Sequence, residues 1–159
     1  MKILPKDLSK ILLENKFTIS VAESCSAGGI SSCICSVPGS STYFLGGIVA
    51  YSNLSKQRDL GVREEDIKKF SEVSDVVAKQ MSLGVKRKFN SDFSISTTGY
   101  SGPDGLDVGK VFISISNPLE TVVKKYDFKG SRQEITNQII ETSLQNLISE
   151  IKLFIFSNK

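Results

Sequence analysis

A short apolar run, Phe17-Thr18-Ile19-Ser20-Val21-Ala22, breaks directly into Glu23-Ser24-Cys25-Ser26-Ala27-Gly28-Gly29. The first half suits a buried strand, and the second opens a helix of small residues from Ser26 to about Cys35. A strand feeding a helix through so tight a turn starts a β–α unit, which limits the folds open to the rest of the chain. Glycines in that first helical turn let another group approach the backbone, and free amides at a helix N-terminus attract negative charge. Serines in such a place also serve simply as helix caps, so Ser24 needs partners from elsewhere to be more than that.

The rest of the chain alternates in the same way. Lys2 to Asn15 reads as a helix, with Pro5 in its first turn and Leu4, Leu8, Ile11 and Leu12 on one face. Val37-Pro38-Gly39-Ser40-Ser41 is a turn-rich break, and Phe44 to Gly47 leads into a second strand, Ile48 to Tyr51. Ser52 and Asn53 cap a short helix from Leu54 to about Leu60, which Gly61 ends. Arg63 to Phe70 forms a further helical turn, and Ser74 to Phe89 a full helix. Phe93 to Thr97 is a third strand, followed by the turn-forming loop Thr98 to Gly105. Gly109 to Ser116 and Thr121 to Phe128 pair as an antiparallel hairpin around Asn117-Pro118. Gly130 and Ser131 open a long terminal helix whose apolar face carries Ile135, Ile139, Leu144, Leu147, Ile148 and Ile151.

Strands that alternate with helices, except at one hairpin, predict an α/β fold with a mixed sheet covered on both faces. Ligands of such sheets sit where loops leave the carboxyl ends of strands. Ser24, the Tyr51–Lys56 stretch and the Thr98–Gly105 loop all follow strands and together make the candidate site.

Composition narrows the chemistry. At 159 residues the chain is read as one domain, residues 1–159, with 40% hydrophobic and 23% charged residues in the globular range. A net charge of +3 with scattered lysines argues against nucleic acid as a partner. No apolar run approaches the roughly 18 residues that span a bilayer, and the start lacks a signal-peptide pattern, so no membrane partner is expected. Cys25, Cys33 and Cys35 are odd in number and crowded into one element, which suits reduced thiols in a cytoplasmic protein. The absence of histidine is more decisive. It removes every Ser-His or Cys-His pair and every imidazole zinc site, so a nucleophile here needs Lys, Tyr or a carboxylate as its base. Asp104, Asp107 and Glu23 have no metal-ligand spacing, and no metal is expected. Gly109-Lys110 lacks the first glycine and the Ser or Thr of a phosphate loop, and Ser149-x-x-Lys152 lies on an amphipathic helix, where a chance match is the simpler reading.

Ala22-Glu23-Ser24-Cys25-Ser26-Ala27-Gly28-Gly29, Val37-Pro38-Gly39-Ser40-Ser41, Tyr51-Ser52-Asn53 with Lys56, and Thr98-Gly99-x-x-Gly102-Pro103 resemble the CinA C-terminal domain family. The resemblance runs from about Phe17 into the terminal helix. It departs where Ser26 and Ala27 replace the usual Thr and Gly, where Tyr100 and Ser101 replace Ile and Ala, and in a shorter loop after Pro103. It implies a three-layer α/β/α sandwich with a mixed, mostly parallel sheet. It also implies an amidohydrolase that deamidates nicotinamide mononucleotide without metal or cofactor. By motif match Ser24 is the nucleophile, Lys56 the base, and Tyr51 an aid to proton transfer. Thr98 and Gly99 lie near the reacting group, and Arg132 resembles a substrate-pocket arginine. The partner implied is a small-molecule nucleotide, and a homo-oligomer is compatible with the sequence.

These roles carry physical demands. Lysine takes a proton from serine only when neutral, and its ordinary pKa near ~10.4 must fall by roughly 2–3 units to make that common at neutral pH. Position near the start of a helix pushes Lys56 in that direction. Backbone amides around Ser26 to Gly28, or at Gly99, are candidate donors to a developing oxyanion. Two other readings stay open from sequence alone: a nucleotide-binding module of this fold that has lost its chemistry, and a regulatory protein acting through a surface away from Ser24.

Overall fold

Ile19, Val21 and Ala22 are wholly buried, and Ser20 between them is buried too. A strand with no solvent-facing side must be covered on both faces. The computed structural model describes residues 4–158; Lys2 and Ile3, expected to open the first helix, lie outside the described residues. Strand β1 (Ile19–Glu23) lies between β2 (Phe44–Val49) and β3 (Phe93–Gly99), both parallel to it. β4 (Lys110–Ser116) runs antiparallel to β3, and β5 (Thr121–Asp127) antiparallel to β4, giving the order β2-β1-β3-β4-β5. The sheet is mixed, as expected. β1, β2, β3 and β5 point one way and β4 runs against them, although the ladders divide evenly between parallel and antiparallel.

Helices α1 (Leu4–Asn15), α2 (Gly29–Cys35) and α6 (Arg132–Ser157) cover one face. Their apolar sides meet Ile19, Val21, Phe93, Ile95, Val111 and Ile113 in the larger core. Helices α3 (Asn53–Leu60), α4 (Glu64–Phe70) and α5 (Asp75–Phe89) cover the other face, with α5 against the strands and α3 and α4 packed on α5. This is a three-layer α/β/α sandwich.

The two faces differ chemically because β3 and β4 alternate apolar residues with serine. Under α5, Ser94 Oγ donates to the Ser82 carbonyl at 2.7 Å and Ser96 Oγ to the Ala78 carbonyl at 2.6 Å. Ser82 Oγ lies 2.8 Å from Ser114 Oγ and 2.9 Å from Ser116 Oγ. Small hydroxyl side chains let the helix lie close to the sheet while each buried polar group keeps a partner. Gly84 extends the close packing to α3: a Cβ there would fall 1.9 Å from the Leu60 carbonyl oxygen.

Two expected boundaries move by more than a residue or two: the second strand, expected from Ile48 to Tyr51, runs over Phe44–Val49, and the helix after β1 starts later. The small-residue helix does not begin at Ser26 but at Gly29, because Ala27 (φ 51°) and Gly28 (φ 89°) take left-handed conformations. No serine caps it. Buried Glu23 reaches over from the end of β1 and accepts from the amides of Ile30 (3.0 Å) and Ser31 (2.9 Å) and from Ser31 Oγ (2.7 Å). The charge of this carboxylate is thus met by helix amides and their dipole. Glu23 therefore occupies the amides of Ile30 and Ser31, while the Ser26 amide ahead of the helix has no acceptor among the described residues.

Candidate active site

Ser24 stands one residue beyond β1, where its amide continues the ladder to the Thr97 carbonyl at 3.1 Å. The turn that follows is closed by the Ala27 amide on the Ser24 carbonyl (3.0 Å) and the Gly29 amide on the Ser26 carbonyl (2.9 Å). Lys56 comes from the other side of the sheet. Ser52 and Ser55 form a capping box that starts α3, and left-handed Gly61 ends it. This pins the helix at both ends and places Lys56 one turn in. Lys56 Nζ donates to Ser24 Oγ at 3.1 Å, and the lysine is 2% exposed. No ion pair among the described residues includes it. Burial pushes its pKa below the ordinary 10.5, while the nearby Glu72 and Cys25 oppose that fall. A buried lysine without an acid partner holds its proton less firmly, as a base toward a serine hydroxyl requires.

The pair opens into a cleft of about 430 Å³ at the carboxyl ends of β1, β2 and β3. Thr98, Gly99, Tyr51 and Arg132 also line it. The Thr98 proton is directed at the Glu72 carbonyl (2.7 Å), so this hydroxyl braces the wall of the cleft and offers only lone pairs to a ligand. Tyr51 is exposed, and its phenol accepts from Arg132 Nη2 at 2.8 Å; it makes no hydrogen bond with Ser24 or Lys56. Arg132 Nη1 also donates to the Gly102 carbonyl, so one guanidinium ties α6, the end of β2 and the loop after β3 across the mouth of the cleft. The first turn of α6 has its own cap, a box between Ser131 and Glu134.

Two sequence-expected residues are not in the cleft lining. Ser26 turns its hydroxyl onto Thr97 Oγ1 (2.7 Å) and is 2% exposed, leaving only its amide, which has no acceptor among the described residues. Gly28 is the left-handed residue ahead of α2, facing Val49. Both follow from the shifted helix start. Cys25 packs its side chain into the main core, and burial pushes the thiol up to about 12. A thiol so rarely ionised is a poor rival to Ser24. All three cysteines are free.

Sequence reasoning missed Glu72 and Val73, which line the cleft, whereas Asn53, Tyr100 and Ser101 line it from the stretches already expected to form the site. Glu72 precedes a helix and resembles an ordinary surface acid in sequence. Only the turn that carries it back under Thr98 shows otherwise.

The arrangement has known relatives. A profile of the family described as CinA C-terminal domain matches residues 1–151. A CinA-like protein of Flavobacterium psychrophilum is 43% identical over 148 residues, covering 91% of this chain and 35% of the relative. One from Gloeothece citriformis is 49% identical over 136 residues, covering 82% of this chain and 32% of the relative. The chain thus spans about a third of the length of the curated relatives it matches. Among solved structures, a competence or damage-inducible protein from Enterobacter asburiae superposes with a TM-score of 0.91 at 28% identity, covering 94% of this chain and 97% of that one. A competence/damage inducible protein from Agrobacterium tumefaciens does so with 0.90 at 28%, covering 93% of each. With profile, relatives and fold in agreement over nearly its whole length, the chain belongs to the CinA C-terminal domain family.

Proposed function

We propose that this chain is an amidohydrolase of a single domain that converts nicotinamide mononucleotide to nicotinate mononucleotide and ammonia. The observation that carries the reading is the 3.1 Å hydrogen bond to Ser24 from buried Lys56, which forms no ion pair among the described residues, at the head of a substrate-sized cleft. A serine bonded to a lysine that burial makes less basic is equipped for acyl transfer in a chain with no histidine.

In the reaction, neutral Lys56 accepts the Ser24 proton as Oγ attacks the carboxamide carbon. The lysine then returns that proton to the departing nitrogen, the C–N bond breaks, and ammonia leaves an acyl ester on Ser24. Lys56, neutral again, accepts a proton from water as its oxygen attacks the ester. Collapse releases the carboxylic acid and restores the serine. Backbone donors beside Ser24, such as the Ser26 amide, serve the oxyanion. Arg132 at the cleft mouth meets the phosphate with its guanidinium fork.

The test is ammonia release from nicotinamide mononucleotide by the chain, with Ser24→Ala as control. Turnover that Ser24→Ala abolishes supports the reading. Absence of turnover, or full turnover by Ser24→Ala, removes it.

A further inference from the structure

Glu72 is held more firmly than a surface acid needs. Its carbonyl accepts from Thr98 Oγ1 at 2.7 Å. Its carboxylate meets two neutral hydroxyls, Ser71 Oγ at 3.2 Å and Tyr100 at 3.3 Å. No lysine or arginine among the described residues forms an ion pair with it. The backbone ahead of it is strained: Ser71 has φ 76° and ψ 156°, a conformation that belongs almost entirely to glycine. A serine endures it there while its hydroxyl serves Glu72, the Val73 amide and Tyr100. Strain of this kind persists where the surroundings over-determine it, and it gathers at functional sites.

The charge is also misplaced for a bare serine–lysine pair. Half-buried Glu72 lines the same cleft as Ser24 and Lys56, and its field favours protonated Lys56, against the need for a neutral base. A negative wall also repels a phosphate. Both effects are offset when a fixed cation occupies the cleft. Such a cation is attracted to the unpaired carboxylate and cancels the field that Glu72 exerts on Lys56.

We propose that Glu72, positioned by Ser71, Tyr100 and Thr98, is a specificity residue that selects amides carried on a positively charged ring. This rests on the deamidase reading, in which the substrate's pyridinium nitrogen bears such a charge. Binding the charged ring then does two things: it satisfies Glu72, and it leaves Lys56 a readier base only while the correct substrate is present.

The experiment compares nicotinamide mononucleotide with its reduced dihydropyridine form, which shares the ribose and phosphate but has a neutral ring. Calorimetric titration is made on the Ser24→Ala chain, which does not consume either ligand, and again with Glu72→Gln added. The expected result is about tenfold tighter binding of the cationic form, equivalent to ~1.4 kcal/mol, and loss of that preference in Glu72→Gln. In the active chain Glu72→Gln is expected to raise KM for the cationic nucleotide about tenfold. Equal binding of the two forms by the Ser24→Ala chain, or an undiminished preference after Glu72→Gln, overturns the proposal. Should Glu72→Gln fail to fold by circular dichroism, Glu72→Ala reads the same difference. Because this is a binding measurement, it decides the role of Glu72 even if ammonia release shows the deamidase reading to be wrong.

Discussion

Lys56 and Ser24 stand 32 positions apart in sequence, on elements from different layers, yet the lysine amine donates to the serine hydroxyl at 3.1 Å. Burial that removes water from the amine also weakens its hold on a proton. The same contact thus sets both the geometry and the basicity of the pair.

Replacing either member should separate catalysis from stability. Ser24→Ala and Lys56→Met are expected to lower kcat by at least about a thousandfold while nucleotide binding persists in calorimetry. Lys56→Met also removes a buried amine that has no acid partner, so it should raise unfolding free energy by about 1 kcal/mol in urea. A Lys56→Met chain that keeps its activity leaves the serine without its proposed base.

The pH dependence follows from the direction of the Lys56 shift. Activity should rise with pH as Lys56 loses its proton, with a midpoint below 10.5 because burial lowers the value. Glu72 opposes that lowering, so Glu72→Gln should carry the rising limb to lower pH. Stability should change with the same sign. Protonated Lys56 is disfavoured in the folded chain relative to the unfolded one, so its destabilising effect is full below the folded pKa and fades as pH rises toward 10.5. Rate profiles and denaturant titrations over that window check both directions, and a limb that Glu72→Gln moves upward contradicts the assignment.

Thiol chemistry separates Ser24 from its neighbour. Exposed Cys35 should react first with iodoacetamide, and Cys25, buried and with its pKa pushed up to about 12, should stay unmodified in the folded chain. Cys25→Ser should retain activity. Peptide mass mapping and the ammonia assay test the two statements, and an inactive but folded Cys25→Ser alongside an active Ser24→Ala reverses the choice of nucleophile.

Arg132 joins Tyr51 and the Gly102 carbonyl across the cleft mouth. If it also takes the phosphate equally in ground and transition states, Arg132→Ala should raise KM with little change in kcat, a loss of roughly 1.5–3 kcal/mol for a charge-assisted contact. Tyr51→Phe removes only the acceptor for one guanidinium nitrogen and should show a smaller change in KM. A Tyr51→Phe chain with collapsed kcat and unchanged KM instead restores the tyrosine to proton transfer.

Ala27 holds φ at 51° on an exposed turn, a conformation that costs a non-glycine residue roughly 1–2 kcal/mol. Ala27→Gly removes that strain and gives back part of the gain through the freer unfolded chain. The expected result is net stabilisation of about 0.5–1 kcal/mol, a rise of a few degrees in Tm by calorimetry. A lower Tm would falsify the strain argument.

Local chemistry was legible in the residues. Ser52 and Gly61 marked the ends of the helix that carries Lys56, Ser131 capped α6, and the Asn117-Pro118 turn identified the β4–β5 hairpin, because caps and tight turns are satisfied by neighbours a few residues away. The missing histidine left lysine, tyrosine or a carboxylate as the base, and the motif resemblance singled out Lys56 among them. Tertiary structure alone decided what depends on which strands and loops become neighbours. Glu23, not a serine, caps α2 because the end of β1 is aimed at that helix, and this moved the helix start and took Ser26 and Gly28 out of the cleft. The serine face under α5 carries no periodic signal that separates a buried hydroxyl from a solvated one. The contact from Ser24 to Lys56 and the hold of Thr98 and Tyr100 on Glu72 span 26 to 32 positions. Hydrogen bonds and burial across such separations are fixed by the packing of β1, β3 and α5, and no local propensity encodes them.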